Sequence, residues 1–281
     1  MQIGKTRETI VSKELIKLLS IFGCESKDFD EIVDFTQKHW LRLENQERWD
    51  MNEIAAKYST NEILKLLKEI RMVDEIRPQD KEYDSVLILG ALAPRMAMRL
   101  SYALKLWEKG LRFKNLVFLA GQRPLIAERE LEVLKDPSQF DLNINDEPPS
   151  DLAPKTEFEI IKAIVKRVKL PEDFKEKVTI KFINAAMREN KDGSLKRPTN
   201  METLKEWAEQ NTKPCSCLLV SNQPFILAAH QAALLALDKG YKIDSCGKSC
   251  SDSTKISVQL DSLARTLYTE KLRHKKKQDC A

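Results

Sequence analysis

The sequence predicts an α/β fold, a mostly parallel sheet covered by helices on both faces and preceded by an α-helical N-terminal section. Three observations carry this. Apolar runs of strand length lie at Asp84–Gly90, Asn115–Gly121 and Ser216–Ser221, and Val178–Ile183 alternates branched and polar side chains. Amphipathic stretches of helical length separate these runs, and strands joined by such crossovers pair in parallel. A parallel sheet buries both faces, which makes a three-layer sandwich.

Before the first strand the spacing is helical. Leu15, Leu18, Leu19 and Phe22 recur at three- and four-residue intervals, and Gly23 follows as a C-cap glycine would. Phe29, Ile32, Val33 and Phe35 begin a second helix, whose apolar character continues through Trp40, Leu41, Leu43 and Trp49. Ser59–Glu62 has the form of a capping box ahead of Ile63, Leu66, Leu67 and Ile70. Arg77–Asp84 is a polar linker carrying a proline.

Within the sheet region, Met96, Leu100, Ala103, Leu104 and Trp107 make one face of a crossover helix, with Arg99, Lys105 and Glu108 opposite and Gly110 closing it. A helix-like run after Gly121 reaches Leu134, and a polar loop covers Asp136–Pro154. Thr156 caps a helix with Phe158, Ile161, Ile164 and Val165 inward. A polar loop spans Asn184–Pro198, Thr199 caps a helix over Asn200–Gln210, and Gln223–Leu237 is an Ala-rich helix. Tyr241–Ile243 reads as a short edge strand, Ser245–Thr254 as a loop and Ile256–Leu272 as a helix. The expected organisation is a helical section over 1–80, an α/β domain over 81–272 and a solvated basic tail over 273–281.

Composition narrows the function classes. In 281 residues, 42% hydrophobic and 32% charged, 47 Lys and Arg oppose 43 Asp and Glu, so the net charge of +4 gives no strong nucleic-acid signal. Apolar stretches such as Phe225–Leu237 fall short of the roughly 20 residues of a membrane span, so no transmembrane segment is expected. Glu14 and Lys17 interrupt the first apolar positions, which argues against a signal core and for a cytoplasmic location. Cys215-x-Cys217 and Cys246-x₃-Cys250 could offer four thiolates to zinc, but the first pair opens a buried strand, and free thiols with no metal are the expectation. Neither a Gly-x₄-Gly-Lys-Ser/Thr loop nor a Gly-x-Gly-x-x-Gly fingerprint is present.

The order of features runs from Leu-Ile-Leu-Gly90 through Arg99 to Leu-Ala-Gly121, Thr156-Glu157, Arg197-Pro-Thr-Asn-Met-Glu202 and Leu-Val-Ser221. Over roughly residues 84–235 that order resembles the SanA/ElyC/YdcF-like family of Rossmann-like domains. The resemblance implies a Rossmann-like domain that binds a nucleotide-like or S-adenosylmethionine-like molecule, with envelope-related roles in some members. This sequence departs from the family turns: Ala120 and Gln122 flank Gly121, Ala-Leu-Ala-Pro follows Gly90, and the Asn-Thr-x-Glu-Asn pattern is reduced to Thr199-Asn200-Met-Glu202-Thr203.

Candidate ligand contacts are Gly90, Arg95, Gly121, Gln122, Arg123, Thr199, Asn200, Ser221, Asn222 and Gln223, all at strand ends or helix starts. Glycine lets a ligand approach the backbone, helix N-termini offer N–H groups to anions, and Arg95 and Arg123 carry forks that suit phosphate or carboxylate. Tight turns and ordinary surface arginines are the competing readings. Glu157 and Glu202 are the candidate polarising carboxylates, against a role in favouring the helix dipole. His230, in its Ala-rich helix, reads as a core residue. The expectation is a binder of a small anionic, nucleotide-like or S-adenosylmethionine-like ligand, with transfer or hydrolysis left open. The competing expectation is a protein-interaction module that kept the scaffold, lost the ligand and meets a partner through its N-terminal helices.

Overall fold

The computed structural model describes residues 11–44, 46–55, 57–145, 153–211, 213–237 and 240–278. Residues 1–10, the middle of the polar loop at 146–152 and the tail end at 279–281 lie outside the described residues.

The chain forms two compact units, one of Met1–Gln79, Asn222–Leu235 and Ser245–Ala281, the other of Asp80–Ser221 and Ala236–Asp244. In the first, α1 (Lys13–Ile21), α2 (Phe29–His39) and α3 (Thr60–Glu69) begin where side chains accept the free amides: Ser12 from Leu15, Asp28 from Asp30 and Glu31, Ser59 from Glu62. Gly23, at φ +88° just after α1, lies in the left-handed region that glycine adopts without strain. Leu15, Leu18, Leu19, Ile32, Ile63 and Leu67 bury completely or nearly so into a core shared with the last helix of the chain.

In the second unit the elements are β1 (Glu82–Leu89), α4 (Ala93–Glu108), β2 (Arg112–Gly121), the short α5 (Ala127–Glu130) and α6 (Glu132–Lys135), α7 (Glu157–Arg167), α8 (Glu172–Lys177), β3 (Thr179–Ala185), a two-stranded hairpin of β4 (Arg188–Glu189) and β5 (Leu195–Lys196), and α9 (Asn200–Gln210). After β6 (Ser216–Asn222) come α10 (Ile226–Ala236), β7 (Lys242–Lys248) and α11 (Ile256–Gln278). The sheet is five-stranded and parallel, in the order β3-β2-β1-β6-β7. The chain therefore builds outward from β1 to β3, returns, and builds outward again from β6. Right-handed crossovers then put α4 and α7 on one face, where they pack on β1 and β2, and α9 on the other, against β2 and β3. These are the three layers of a Rossmann-like sandwich.

Four expectations are corrected. The loop expected over Asn184–Pro198 contains the β4–β5 hairpin, turned at Gly193 with φ +79°. The run after Gly121 breaks into α5 and α6. The strand expected to stop at Ile243 runs on to Lys248, through polar residues that the hydropathy pattern assigns to a loop. Buried Asp244 accepts a 2.6 Å hydrogen bond from Tyr83, and Ser245 lies 2.9 Å from His230 Nδ1, so specific partners replace apolar contact there. Finally, α11 continues through the start of the basic tail to Gln278, with Arg273 buried and paired to Glu270 at 3.5 Å rather than solvated. Among the described residues, no helix is long and apolar enough to cross a membrane.

Candidate functional site

The strand order reverses between β1 and β6, and open α/β sheets bind ligands outside the carboxyl ends of the strands at such a reversal. Gly90 follows β1 on one side of it. Ser221 lies on β6, one step past the registered pair Ile88–Val220. Gly121 ends β2, one strand farther out.

Gly90 has no room for a side chain. A Cβ there would run into the Glu157 carboxylate and would lie 2.6 Å from the Leu119 carbonyl. The carboxylate is delivered by α7, whose N-terminus is zipped to the segment leaving β2: Glu157 N donates to Arg123 O at 3.0 Å and Leu125 N to Lys155 O at 3.0 Å. Thr156 caps α7 by accepting from Glu159 N, as the sequence indicates.

That backbone register brings Arg123 against Glu157, with Nε donating to Glu157 Oε2 at 2.9 Å. The rest of the guanidinium forms a fork on Glu130, Nη1 to Oε2 and Nη2 to Oε1, each at 2.8 Å. Glu130 also accepts from Ile126 N at 2.8 Å and from Ala93 N at 3.0 Å, so both its oxygens are fully engaged. Ala93 is the first residue of α4, and Leu92 before it has no side chain to cap with. Glu130 thus occupies the position at a helix N-terminus where an anion binds.

The two carboxylates respond in opposite ways. Burial pushes both up, but the bidentate fork and two backbone donors hold Glu130 below the ordinary glutamate range. Glu157 keeps one contact to Arg123, and burial, reinforced by the charge on Glu130, raises it to about 7. Arg123 itself is pushed upward, net of its own burial, by the carboxylates around it. For the Arg123–Glu157 pair the two shifts disagree, since one favours the ion pair and the other opposes it. Glu130 already satisfies Arg123, so Glu157 is the group that gives way and takes a proton near neutral pH.

Arg99, expected on the solvated face of its helix, is 4% exposed. Its Nη1 donates to Leu89 O at 2.6 Å and Gly90 O at 3.3 Å, gathering the carbonyls that β1 leaves at its end. Arg95 is half-buried in the first turn of α4, and burial lowers its pKa. The Ser221 hydroxyl is buried and has no hydrogen-bond partner among the described residues.

The other sequence candidates fall elsewhere. Gly121 is pressed against Pro198, where a Cβ would lie 2.6 Å from the ring, and Gln122 is exposed with its amide on Ala185 O. Thr199 and Glu202 form a reciprocal capping box on α9, and Glu202 also pairs with Arg188 at 2.6 Å, so both its oxygens have local partners. Asn200 is exposed beside them. Asn222 and Gln223 belong to the helical unit. Asn222 Nδ2 donates to Gln223 O, and Gln223 Nε2 ties down the carbonyls of Arg71 and Asp74.

Glu130 is the residue that sequence reasoning missed, and Arg99, part of the feature order that carries the resemblance, was placed on the wrong face of its helix. A leucine N-cap before a long helix was the available signal for Glu130, because it leaves amides that some distant acceptor must satisfy. No group of three or more His, Cys, Asp or Glu among the described residues is placed to hold a metal ion.

Fold and site together define the class, a Rossmann-like α/β protein with a buried arginine–carboxylate cluster at its strand ends. No family model matches the chain, and no curated protein matches it.

Proposed function

We propose that the carboxyl ends of β1 and β6 form a binding site for a small anionic molecule, nucleotide-like or S-adenosylmethionine-like, with Glu157 as its acid–base group. The observation that carries this reading is the gathering of buried Arg99, Arg123, Glu157 and the unpartnered Ser221 hydroxyl around the one reversal of strand order. A carboxyl group that titrates near neutral pH can give or take a proton without a large driving force, which suits transfer or hydrolysis on a bound ligand. The resemblance to the SanA/ElyC/YdcF-like family supports the ligand class, and the charges of Glu14 and Lys17 among the first apolar positions support a cytoplasmic setting. Calorimetry and thermal shift against nucleoside phosphates and S-adenosylmethionine test the proposal. Binding that Gly90→Ala abolishes is expected, and a folded protein that binds none of them would sink it.

A second reading has an observation of its own. Glu130 fills the α4 N-terminus from within the chain, which favours a scaffold that no longer needs an anionic ligand and works as an interaction module. In the N-terminal section Trp40 is 4% exposed inside the helical core, whereas Leu43 nearby is 75% exposed. A partner retained by the full chain after Gly90→Ala and Arg95→Ala, but lost after Leu43→Asp, would favour it over the first.

A further inference from the structure

The amino end of the same sheet carries a second cluster that the strand-end site does not use. Cys215 immediately precedes β6 and Cys217 lies inside it, so their side chains share one face of an extended segment. The two Sγ atoms are 3.6 Å apart. Cys217 is fully buried, whereas Cys215 is only half-buried and follows exposed Lys213 and Pro214. The backbone between them is pinned: Ser216 donates to Asp84 Oδ2 from its amide at 3.1 Å and its hydroxyl at 2.8 Å, and Lys242 N donates to Cys215 O at 3.1 Å. Lys114 stands beside them on Asp84 Oδ1 at 2.8 Å.

We propose that Cys215 and Cys217 are a dithiol–disulfide site whose co-reactant is a small-molecule disulfide. Residues two apart in an extended chain have Cα atoms about 6.6 Å apart at about 3.3 Å of rise each, inside the ~6.8 Å limit for a bridged pair. The sulfurs have to close by about 1.5 Å to reach a bond of ~2.05 Å and the Cβ atoms must come within ~4.5 Å, so the backbone at Cys215, just ahead of β6, leaves the extended form as the bond closes and its contact with Lys242 N gives way. A metal would need further ligands, and none is placed to join these two among the described residues.

The division of labour follows from the surroundings. The hydrogen bond from Cys217, then Ser85 and the charge of Lys114, lower the Cys215 thiol against its partial burial and the opposing charge of Asp84. That same bond, with burial, raises Cys217. Cys215 is therefore the attacking thiolate. It attacks one sulfur of RSSR, forming a mixed disulfide at Cys215 and releasing RS⁻. Cys217 then loses its proton, attacks Cys215 Sγ and releases the second RS⁻. The protein dithiol is oxidised by two electrons, RSSR is reduced to two RSH, and the two thiol protons leave on those products.

The test uses the full chain, reduced and then exposed to oxidised glutathione, with free thiols alkylated after an acid quench and the peptide bearing both cysteines weighed. The expected peptide is lighter by two hydrogens and carries no alkyl group, and excess reduced glutathione restores both thiols. Cys217→Ser should stop at a glutathione adduct on Cys215, and Cys217→Ala should do the same if serine disturbs the core. Cys215→Ser should react on the order of tenfold more slowly or less, because a buried protonated thiol is a poor nucleophile. A wild-type peptide that stays fully alkylated, or that accumulates the adduct without the internal bond, overturns the proposal.

Discussion

Both ends of the α/β sheet tie carboxylates to a cation, in different surroundings. At the amino end Asp84 meets Lys114 and Ser216, with the Asp84 side chain 39% and the Lys114 side chain 78% exposed. The Lys114 and Ser216 hydrogen bonds hold that carboxyl at about 2, and water solvates whatever they leave. At the carboxyl end Arg123 meets Glu130 and Glu157 at 10%, 0% and 10% side-chain exposure. One cation cannot hold two buried carboxylates equally, so one stays ionised and the other is left near neutrality. Pairing of opposite charges thus gives a local tie in the first place and a titratable group in the second, and solvent access together with the second carboxylate makes the difference.

Removing the shared cation is the strongest way to break this contrast. Arg123→Met should cost about 3–5 kcal/mol in chemical denaturation at neutral pH, because it strands Glu130 in the interior. A loss under about 1 kcal/mol, the size expected of an exposed pair, would erase the distinction between the ends.

The next largest effect is in the pH dependence. The folded pKa of Glu157 lies above the ordinary value of 4.5, at about 7, so the folded state binds the extra proton in that window. Its contribution is full below about 4.5 and is lost as pH rises toward 7. At about 1.4 kcal/mol per unit the loss is on the order of 3 kcal/mol. Glu157→Gln should flatten the stability curve over that range, and an unchanged slope would reassign the titration. Glu130 works with the opposite sign, since its depressed pKa gives stability that is lost as pH falls below about 4.5.

Gly90→Ala probes the packing of the cluster. Its Cβ meets a backbone carbonyl as well as the Glu157 side chain, and forced overpacking of this kind costs about 1–3 kcal/mol. Combined with Glu157→Ala, which removes the side-chain part of the clash, the cost should not add, and strict additivity in a double-mutant cycle would show that the two do not touch. The smallest effect is expected at the amino end, where Asp84→Asn should cost about 1 kcal/mol, the net worth of a hydrogen bond, and less at high salt.

The strands were legible wherever burial on both faces leaves a continuous apolar run, as at Val86–Leu89 and Leu116–Ala120. Helix starts were legible where a cap is local, as at Thr156 and Thr199, because donor and acceptor lie within a few residues. What the sequence concealed depends on partners far along the chain. The middle of β7 is polar at Asp244 and Ser245, which Tyr83 and His230 hold. Arg99 has the spacing of a surface residue, yet its fork finds the carbonyls at the end of the strand before it. For Glu130 nothing in Ala127–Glu130 distinguishes a buried anion from an exposed helical glutamate. Gly90 could be placed at a strand end from sequence, while the carboxylate against it could not.

The α4 N-terminus carries its counter-anion on a tether. A carboxylate held in place by its own chain acts at a high effective concentration, and any free anion must displace it before reaching the Ala93 amide. The helix is consequently neutralised with or without a visitor, and folding of this layer is uncoupled from ligand supply. An anion that did bind there would announce itself through the release of Glu130, as a change in the short helix that carries it.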